Sequence, residues 1–198
     1  MKLIVATHNP GKLQEFRRIL GVGGFEVEGL ASDAPMPEEV GTSLEENALI
    51  KARGAFEIHR RAIVADDSGL FVDSLGGQPG VLSARYAGLG ATDGENRSKL
   101  LSEMALVGSE NRDAEFRCVL CVIDFERDSI PEFYNGVVKG RITDRPVGDA
   151  GFGYDPIFVP YGSDGRTFAQ MSPDEKNAVS HRARALEVML AAISKRSG

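Results

Sequence analysis

The first sixteen residues, MKLIVATHNPGKLQEF (1–16), indicate the fold class. Residues 2–6 form an apolar run with the length of a buried strand, and apolar side chains recur at helical spacing from Leu13 to Leu20. The polar segment THNPGK (7–12) separates these two patterns. A strand, a polar turn with a lysine and an amphipathic helix predict an α/β protein whose first turn can hold a phosphate group.

The rest of the chain alternates between helical and strand patterns, and no repeat or linker divides it. We therefore predict one α/β domain over residues 1–198 with a mixed sheet. The predicted elements are a helix over 43–61, a strand over 62–65 that ends at Asp66 and Asp67, a glycine-rich loop over 76–88, a helix from Thr92 to Val107, an antiparallel hairpin of strands 115–125 and 132–141, a loop leading into a short strand within 148–160, a helix that starts at Ser172 and a helix over 181–193.

Composition excludes several classes of protein. The chain is 42% hydrophobic and 26% charged, as is usual for a globular protein. Its net charge of −6 argues against a protein that follows duplex DNA through the phosphates. The N-terminus has no apolar run of signal-peptide length. We expect a cytoplasmic protein that binds neither nucleic acid nor membranes.

Cys118 and Cys121 have the spacing of some zinc and redox sites. In a strand, however, residues three apart point to opposite faces of the sheet. The chain has no second cysteine pair. We therefore expect buried structural cysteines here, with zinc or redox chemistry as the weaker alternative.

The segment THNPGK could hold a phosphate for three physical reasons. A helix N-terminus offers unpaired N–H groups and a partial positive charge, Gly11 permits close backbone approach, and Lys12 adds a full charge. Leu13 stands where a Walker A loop has serine or threonine, which disfavours a P-loop kinase or GTPase. The alternative interpretation is a well-capped turn with a solvated lysine.

Two adjacent aspartates in ADDSG (65–69) suggest a metal site. Buried carboxylates need a cation because desolvating an unpaired charge is costly. Magnesium prefers one or two carboxylates with water and phosphate oxygens, so one aspartate with Glu38 or Glu39 would suffice. The alternative is a polar strand end, with Asp66 capping backbone and Asp67 in solvent. A phosphatase with aspartyl nucleophiles would usually show D-x-D.

Two further segments could contact a nucleoside. In GFGYDPIF (151–158), Phe152 and Tyr154 could offer flat faces to a nucleobase, with Asp155 as a hydrogen-bonding group. The alternative is that these aromatic side chains plug the edge of the sheet.

A basic cluster follows in EKNAVSHRARAL (175–186). Lys176, His181 and Arg182 lie in or beside one helical region of an otherwise acidic chain. They could bind a phosphate or a base carbonyl. The alternative is an ordinary solvated helix face.

Taken together with ENALIKA (46–52) and the stretch from ADDSG to ARYAG (65–88), these segments resemble the inosine triphosphate pyrophosphatase family, also called XTP/dITP pyrophosphatases. The resemblance covers nearly the whole chain in the same order. It implies an α/β fold with an elongated mixed β-sheet, flanking helices and two lobes around a central substrate cleft. It also implies a Mg²⁺-dependent reaction and a homodimer.

The resemblance assigns roles to individual residues. Asp67 corresponds to the proton acceptor and, with Glu39, to the metal ligands. The residues that correspond to substrate contacts are Thr7, His8, Asn9, Pro10, Gly11, Lys12, Lys51, Ser68, Phe152, Gly153, Tyr154, Asp155, Lys176, His181 and Arg182.

The implied activity is hydrolysis of ITP, dITP and XTP to the nucleoside monophosphate and pyrophosphate, which would clear deaminated purines from the nucleotide pool. Two rivals remain open. The related septum-associated pyrophosphatases act on modified pyrimidine or methylated nucleotides, and the SHR and FGYD motifs argue against that class. A nucleotide sensor without catalysis is the other rival, and Glu39, Lys51 and Asp67 argue against it.

Overall fold

The computed structural model describes residues 2–108, 110–124 and 129–197. Its strands are β1 Lys2–Val5, β2 Glu26–Gly29, β3 Ile63–Val72, β4 Asp113–Ile123, β5 Glu132–Ile142 and β6 Phe158–Pro160. Its helices are α1 Pro10–Val22, α2 Leu44–His59, α3 Asp93–Val107, α4 Pro173–Val179 and α5 His181–Ser197. Short 3₁₀ turns cover Asp73–Leu75, Gly80–Arg85, Asp155–Ile157 and Phe168–Gln170.

The six strands form one mixed sheet in the order β2-β1-β3-β4-β5-β6. β1 runs parallel to both β2 and β3, whereas β5 and β6 are antiparallel. This confirms the prediction of a mixed α/β sheet. β4 and β5 are neighbours, as the predicted hairpin requires, although the predicted end of its first strand at Phe125 lies outside the described residues.

The prediction for the third strand was wrong at its end. β3 does not stop at the two aspartates but continues to Val72. Asp66 and Asp67 are buried within it, at 1% and 5% exposure. A strand can contain two buried carboxylates only if cations lie close to both, and the structure supplies these cations from α1, α2 and α5.

Helix starts follow the predicted capping residues. Capping boxes begin α3 at Thr92 and α4 at Ser172, with both reciprocal hydrogen bonds present. At α2 only half of the predicted box forms. Ser43 accepts from the N–H of Glu46, while the Glu46 carboxylate accepts from the N–H and hydroxyl of Thr42.

The described residues divide into two compact units. The first unit takes its residues from 1–67, 118–136 and 182–198. Its apolar core joins side chains of β1, α1, β3, β4 and α5, among them Leu3, Phe16, Val64, Leu120 and Leu186. Both cysteines are buried here and form no disulfide, and burial raises the pKa of the Cys121 thiol to about 12. The prediction of buried structural cysteines is confirmed.

The second unit takes its residues from 68–117 and 137–181. Its core is richer in aromatic side chains, and Phe116 packs edge-on against Phe158 with ring centroids 4.7 Å apart. The prediction that both units belong to a single domain stays a prediction. No helix in the described part of the chain is long and apolar enough to cross a membrane.

Candidate active site

The THNPGK segment forms the turn between β1 and α1. Asn9 is the N-cap of the helix, and its side chain accepts from the N–H of Lys12 at 3.0 Å. Pro10 occupies the first helical turn, where its missing N–H has no consequence. The turn is therefore well capped, as the alternative interpretation required. The lysine, however, does not project freely into solvent: its side chain is 18% exposed, and its ammonium lies 3.0 Å from Asp66 Oδ2.

A cavity of about 210 Å³ lies beside this turn in the first unit. It has room for several water molecules. Its lining residues are Thr7, His8, Asn9, Pro10, Leu13, Leu30 and Ser32.

Asp66 and Asp67 point to opposite faces of β3, as neighbouring residues in a strand must. The Asp66 carboxylate contacts Lys12 and Arg182, whereas the Asp67 carboxylate contacts Lys51. The alternative of a polar strand end, with Asp67 in solvent, is wrong. Both aspartate side chains are buried and paired with cations.

Arg182, at the start of α5, organises the Asp66 side of the strand. Its Nη2 lies 2.8 Å from Asp66 Oδ2, and its Nη1 pairs with the carboxylate of Glu15 on α1. The guanidinium is 1% exposed. Burial disfavours the Asp66 anion, but Lys12 and Arg182 outweigh burial and hold the pKa of Asp66 well below its usual range. Arg182 is thus a buried partner of two carboxylates, and its assignment as a substrate contact stays a prediction.

Lys51, from the middle of α2, organises the Asp67 side. Its Nζ lies 2.7 Å from Asp67 Oδ1 and 2.8 Å from Glu39 Oε1. Burial acts to lower the pKa of Lys51, but the neighbouring carboxylates, Asp67 first, outweigh burial and raise it. Burial also raises the pKa of Asp67, although Lys51 and Lys12 act against this shift. The structure therefore brings together three residues that the sequence had placed in one site.

The carboxylate oxygens around Lys51 are suitable ligands for a divalent cation. Two carboxylate oxygens, from Glu39 and Asp67, converge on a single positive charge. Oxygen ligands of this kind suit magnesium, which takes one or two carboxylates and completes its shell with water and phosphate oxygens. Within the described residues, no group of three or more histidine, cysteine, aspartate or glutamate side chains could hold a metal. The two carboxylates therefore match a magnesium site that needs further oxygens from a ligand.

The GFGYD loop belongs to the second unit, and its two aromatic residues differ. Tyr154 is 4% exposed, packs in the core, and donates its hydroxyl to the Ser83 carbonyl at 2.9 Å. Burial raises its pKa. Phe152 is only half-buried, and the Lys176 ammonium lies 4.5 Å from its ring centroid. The plug interpretation fits Tyr154, whereas Phe152 is partly exposed.

Asp155 fixes the shape of this loop. Its Oδ2 accepts from the Phe152 N–H at 2.9 Å and from the Lys176 ammonium at 2.6 Å. Gly151 has φ +76°, and a Cβ atom there would lie 2.2 Å from the same carboxylate oxygen. Only glycine permits this close approach. Lys176, itself buried, is therefore held at one point beneath the loop.

His181 and Ser68 complete the predicted residues of the second unit. His181 is 4% exposed, and its ring stacks on Phe116 with centroids 4.6 Å apart. Ser68 follows Asp67 in β3 and is half-buried. Their substrate roles stay predictions.

Sequence reasoning missed two residues that hold the GFGYD loop. Asp93 accepts from the N–H of Gly153 at 2.6 Å, and Arg97 donates to the Gly153 carbonyl at 2.5 Å. The sequence indicates that the two side chains lie on one face of the helix, since they are four residues apart. It carries no signal for their contact with a loop more than fifty residues further on.

Sequence reasoning also missed Glu15, which lies on the same helix face as Lys12 and pairs with Arg182. Its distance from Arg182 in the sequence hid this role.

The fold is that of a known structural class. A solved HAM1 protein from Coxiella burnetii superposes with a TM-score of 0.87 at 39% identity, over 98% of this chain and 99% of that chain. The chain therefore has the α/β fold of that HAM1 protein, with the six-stranded mixed sheet and flanking helices described above.

The chain belongs to the Ham1 family, whose model matches residues 3–192. It is similar to the dITP/XTP pyrophosphatase of Bacillus subtilis, at 46% identity over 93% of this chain and 92% of that protein. It is also similar to the dITP/XTP pyrophosphatase of Mycobacterium tuberculosis, at 47% identity over 97% of this chain and 95% of that protein. These relatives confirm the family resemblance drawn from the sequence.

Proposed function

We propose that the protein hydrolyses triphosphates of deaminated purine nucleosides, ITP, dITP and XTP, to the monophosphate and pyrophosphate. The relatives named above are called dITP/XTP pyrophosphatases, and they match the chain over nearly its whole length. The observation that carries the proposal is the contact of the Lys51 ammonium with both Glu39 and Asp67. On the opposite face of β3, Asp66 contacts Lys12.

The triphosphate is bound by the first unit. The turn over residues 7–12 offers backbone N–H groups, and Lys12 and Lys51 supply positive charge for the phosphate oxygens. Glu39 and Asp67 would hold Mg²⁺. When bound, the ion would neutralise charge on the phosphate oxygens and so stabilise the departing pyrophosphate.

The hydrolytic step needs a base for water. Water attacks the α-phosphorus, a new P–O bond forms, and the bond to the bridging oxygen breaks so that pyrophosphate leaves. Asp67 accepts the proton of the attacking water. In the ligand-free structure Lys51 lies 2.7 Å from this carboxylate and sets its orientation. Lys12 faces the charge that grows on the leaving group.

Base selection belongs to the second unit. Phe152 stacks on the purine, and Lys176 donates to the 6-oxo group of hypoxanthine or xanthine. Adenine presents an amino group at the same position, which cannot accept a hydrogen bond from the Lys176 ammonium, so ATP lacks this contact and is disfavoured. Guanine shares the 6-oxo group, so its 2-amino group is the feature to be refused. The remaining predicted contacts are Ser68, Gly153, Tyr154, Asp155, His181 and Arg182.

A product assay tests the proposal directly. The purified protein is incubated with Mg²⁺ and ITP, XTP, ATP, GTP or dTTP, and the released product is identified. We expect pyrophosphate from ITP and XTP, with little turnover of the other three nucleotides. Orthophosphate would identify a phosphatase instead. Tight binding of nucleotides without turnover would identify a sensor.

We also propose that the protein works as a cytoplasmic homodimer, as the family resemblance implies. A cytoplasmic location would give it access to the nucleotide pool. Sedimentation equilibrium tests the assembly, and a single species with the mass of one chain would contradict it.

A further inference from the structure

Lys51 occupies the point at which the two proposed magnesium ligands converge. Its Nζ lies 2.8 Å from Glu39 Oε1 and 2.7 Å from Asp67 Oδ1. These are distances of charge-assisted hydrogen bonds, and the lysine side chain is only 6% exposed. Each carboxylate therefore already has a cation, and that cation belongs to the protein.

Magnesium cannot enter this arrangement while the ammonium stays in place. An ion shared by the two carboxylates needs oxygens at about 2.0–2.1 Å, on the side where Nζ now lies. Two positive charges this close in a largely buried site repel each other strongly. Asp67 is fixed in β3, whereas the lysine has a long flexible side chain on α2. The lysine is therefore the group that moves.

We propose that Lys51 is a resident cation that holds Glu39 and Asp67 together before magnesium arrives, and that the metal displaces its ammonium onto the phosphate oxygens of the ligand. The identity of that ligand rests on the proposed function, but the competition between lysine and metal does not. Lys51 thus positions the metal ligands and later serves as a phosphate contact.

This exchange couples metal binding to phosphate binding. Magnesium alone would leave a buried ammonium without its counter-charges, which is unfavourable. A phosphorylated ligand supplies new counter-charges and removes that penalty. The free protein should therefore bind magnesium weakly, and the coupling between metal and ligand should be positive and reciprocal.

Isothermal titration of Mg²⁺ into the nucleotide-free protein tests the competition. Lys51→Met keeps the length of the side chain but removes the charge. We expect the variant to bind Mg²⁺ about tenfold more tightly than the wild type, within the usual range of coupling between sites. Equal or weaker binding by the variant would overturn the proposal.

Lys12→Met is the matched control. It removes the same charge from the opposite face of β3, where the Lys12 ammonium contacts Asp66 rather than either proposed metal ligand. We expect a clearly smaller gain in Mg²⁺ affinity than for Lys51→Met. An equal gain in both variants would mean that net charge, and not displacement of one lysine, controls the metal.

A measurement on the wild type covers the case in which Lys51→Met does not fold, which circular dichroism would reveal. The ¹⁵N ammonium signal of Lys51 is followed by NMR during a Mg²⁺ titration. We expect it to shift or broaden as the metal binds, and an unchanged signal at saturating Mg²⁺ would overturn the proposal. Neither measurement uses a nucleotide, so the outcome is independent of the product assay.

Discussion

Each unit of the protein contains a lysine–aspartate pair in which both side chains are buried, and these two pairs have different surroundings. Lys51 and Asp67 lie 2.7 Å apart in the first unit, and Lys176 and Asp155 lie 2.6 Å apart in the second. All four side chains are less than a tenth exposed. The bonds are alike in length and in burial, so the chemistry must differ through the neighbours.

The first pair has a second carboxylate beside its lysine, whereas the second pair has aromatic rings and a backbone N–H beside it. Lys51 also contacts Glu39, whereas Lys176 lies near the rings of Phe152 and Phe168. A site with more carboxylates than cations can bind a metal ion and accept a proton. A lysine beside aromatic rings can bind a flat ligand that has a carbonyl group. The same ion pair can thus serve phosphate chemistry in one unit and base recognition in the other.

The largest expected effect is on turnover, and it distinguishes Asp67, which should affect kcat, from Asp155, which should affect mainly KM. Asp67→Asn removes the proposed base and one metal ligand, so we expect kcat for ITP to fall by about 10²–10⁴-fold. Asp155→Asn removes the negative charge that holds Lys176 but keeps an acceptor for the Phe152 N–H. Because Lys176 is proposed to bind the base, we expect this variant to raise KM more than it lowers kcat. Steady-state kinetics with ITP on both variants, with folding checked by circular dichroism, makes the comparison.

Substantial residual turnover by a folded Asp67→Asn variant would remove Asp67 from the catalytic role. Equal losses of kcat in the two variants would contradict the division of labour between the two pairs.

The second effect concerns stability and compares two arginines that each bridge two carboxylates. Arg182 is buried between Glu15 and Asp66, whereas Arg166 is exposed between Asp164 and Glu175. Removing one partner of a buried ion pair leaves an uncompensated charge, so Arg182→Met should lower the free energy of unfolding by about 3–5 kcal/mol. Exposed pairs contribute little, so Arg166→Met should change it much less.

Equilibrium urea unfolding measures both variants. A loss for Arg182→Met no greater than for Arg166→Met would mean that the buried ion pairs do not stabilise the first unit.

The sequence predicted local features better than partners in space. Capping spacing located the starts of α3 and α4, because a cap needs only residues within one turn. The length of β3 could not be predicted, because its buried carboxylates depend on cations as distant in sequence as Arg182. Sequence proximity likewise grouped Lys176 with Arg182, whereas the fold pairs the first with Asp155 and the second with Asp66. Motifs thus predicted which residue types form the candidate site but not their pairing.

The smallest expected effect concerns Arg97, which holds the GFGYD loop without belonging to any motif. Its guanidinium donates to the Gly153 carbonyl at 2.5 Å, next to the residue proposed to stack on the base. Arg97→Ala should raise KM for ITP by about threefold to tenfold, since one hydrogen bond contributes about 0.5–1.5 kcal/mol. We expect kcat to stay nearly constant, because the phosphate chemistry is assigned to other residues.

Two variants on the same helix make this test specific. Arg97→Lys keeps a donor and should restore part of the lost affinity. Lys99→Ala removes an ammonium that donates to the Tyr86 carbonyl rather than to the loop, and should leave KM close to the wild-type value. If Arg97→Ala lowers kcat while KM is unchanged, the loop does not act through ligand binding, and the contrast between the two lysine–aspartate pairs would have to be explained without it.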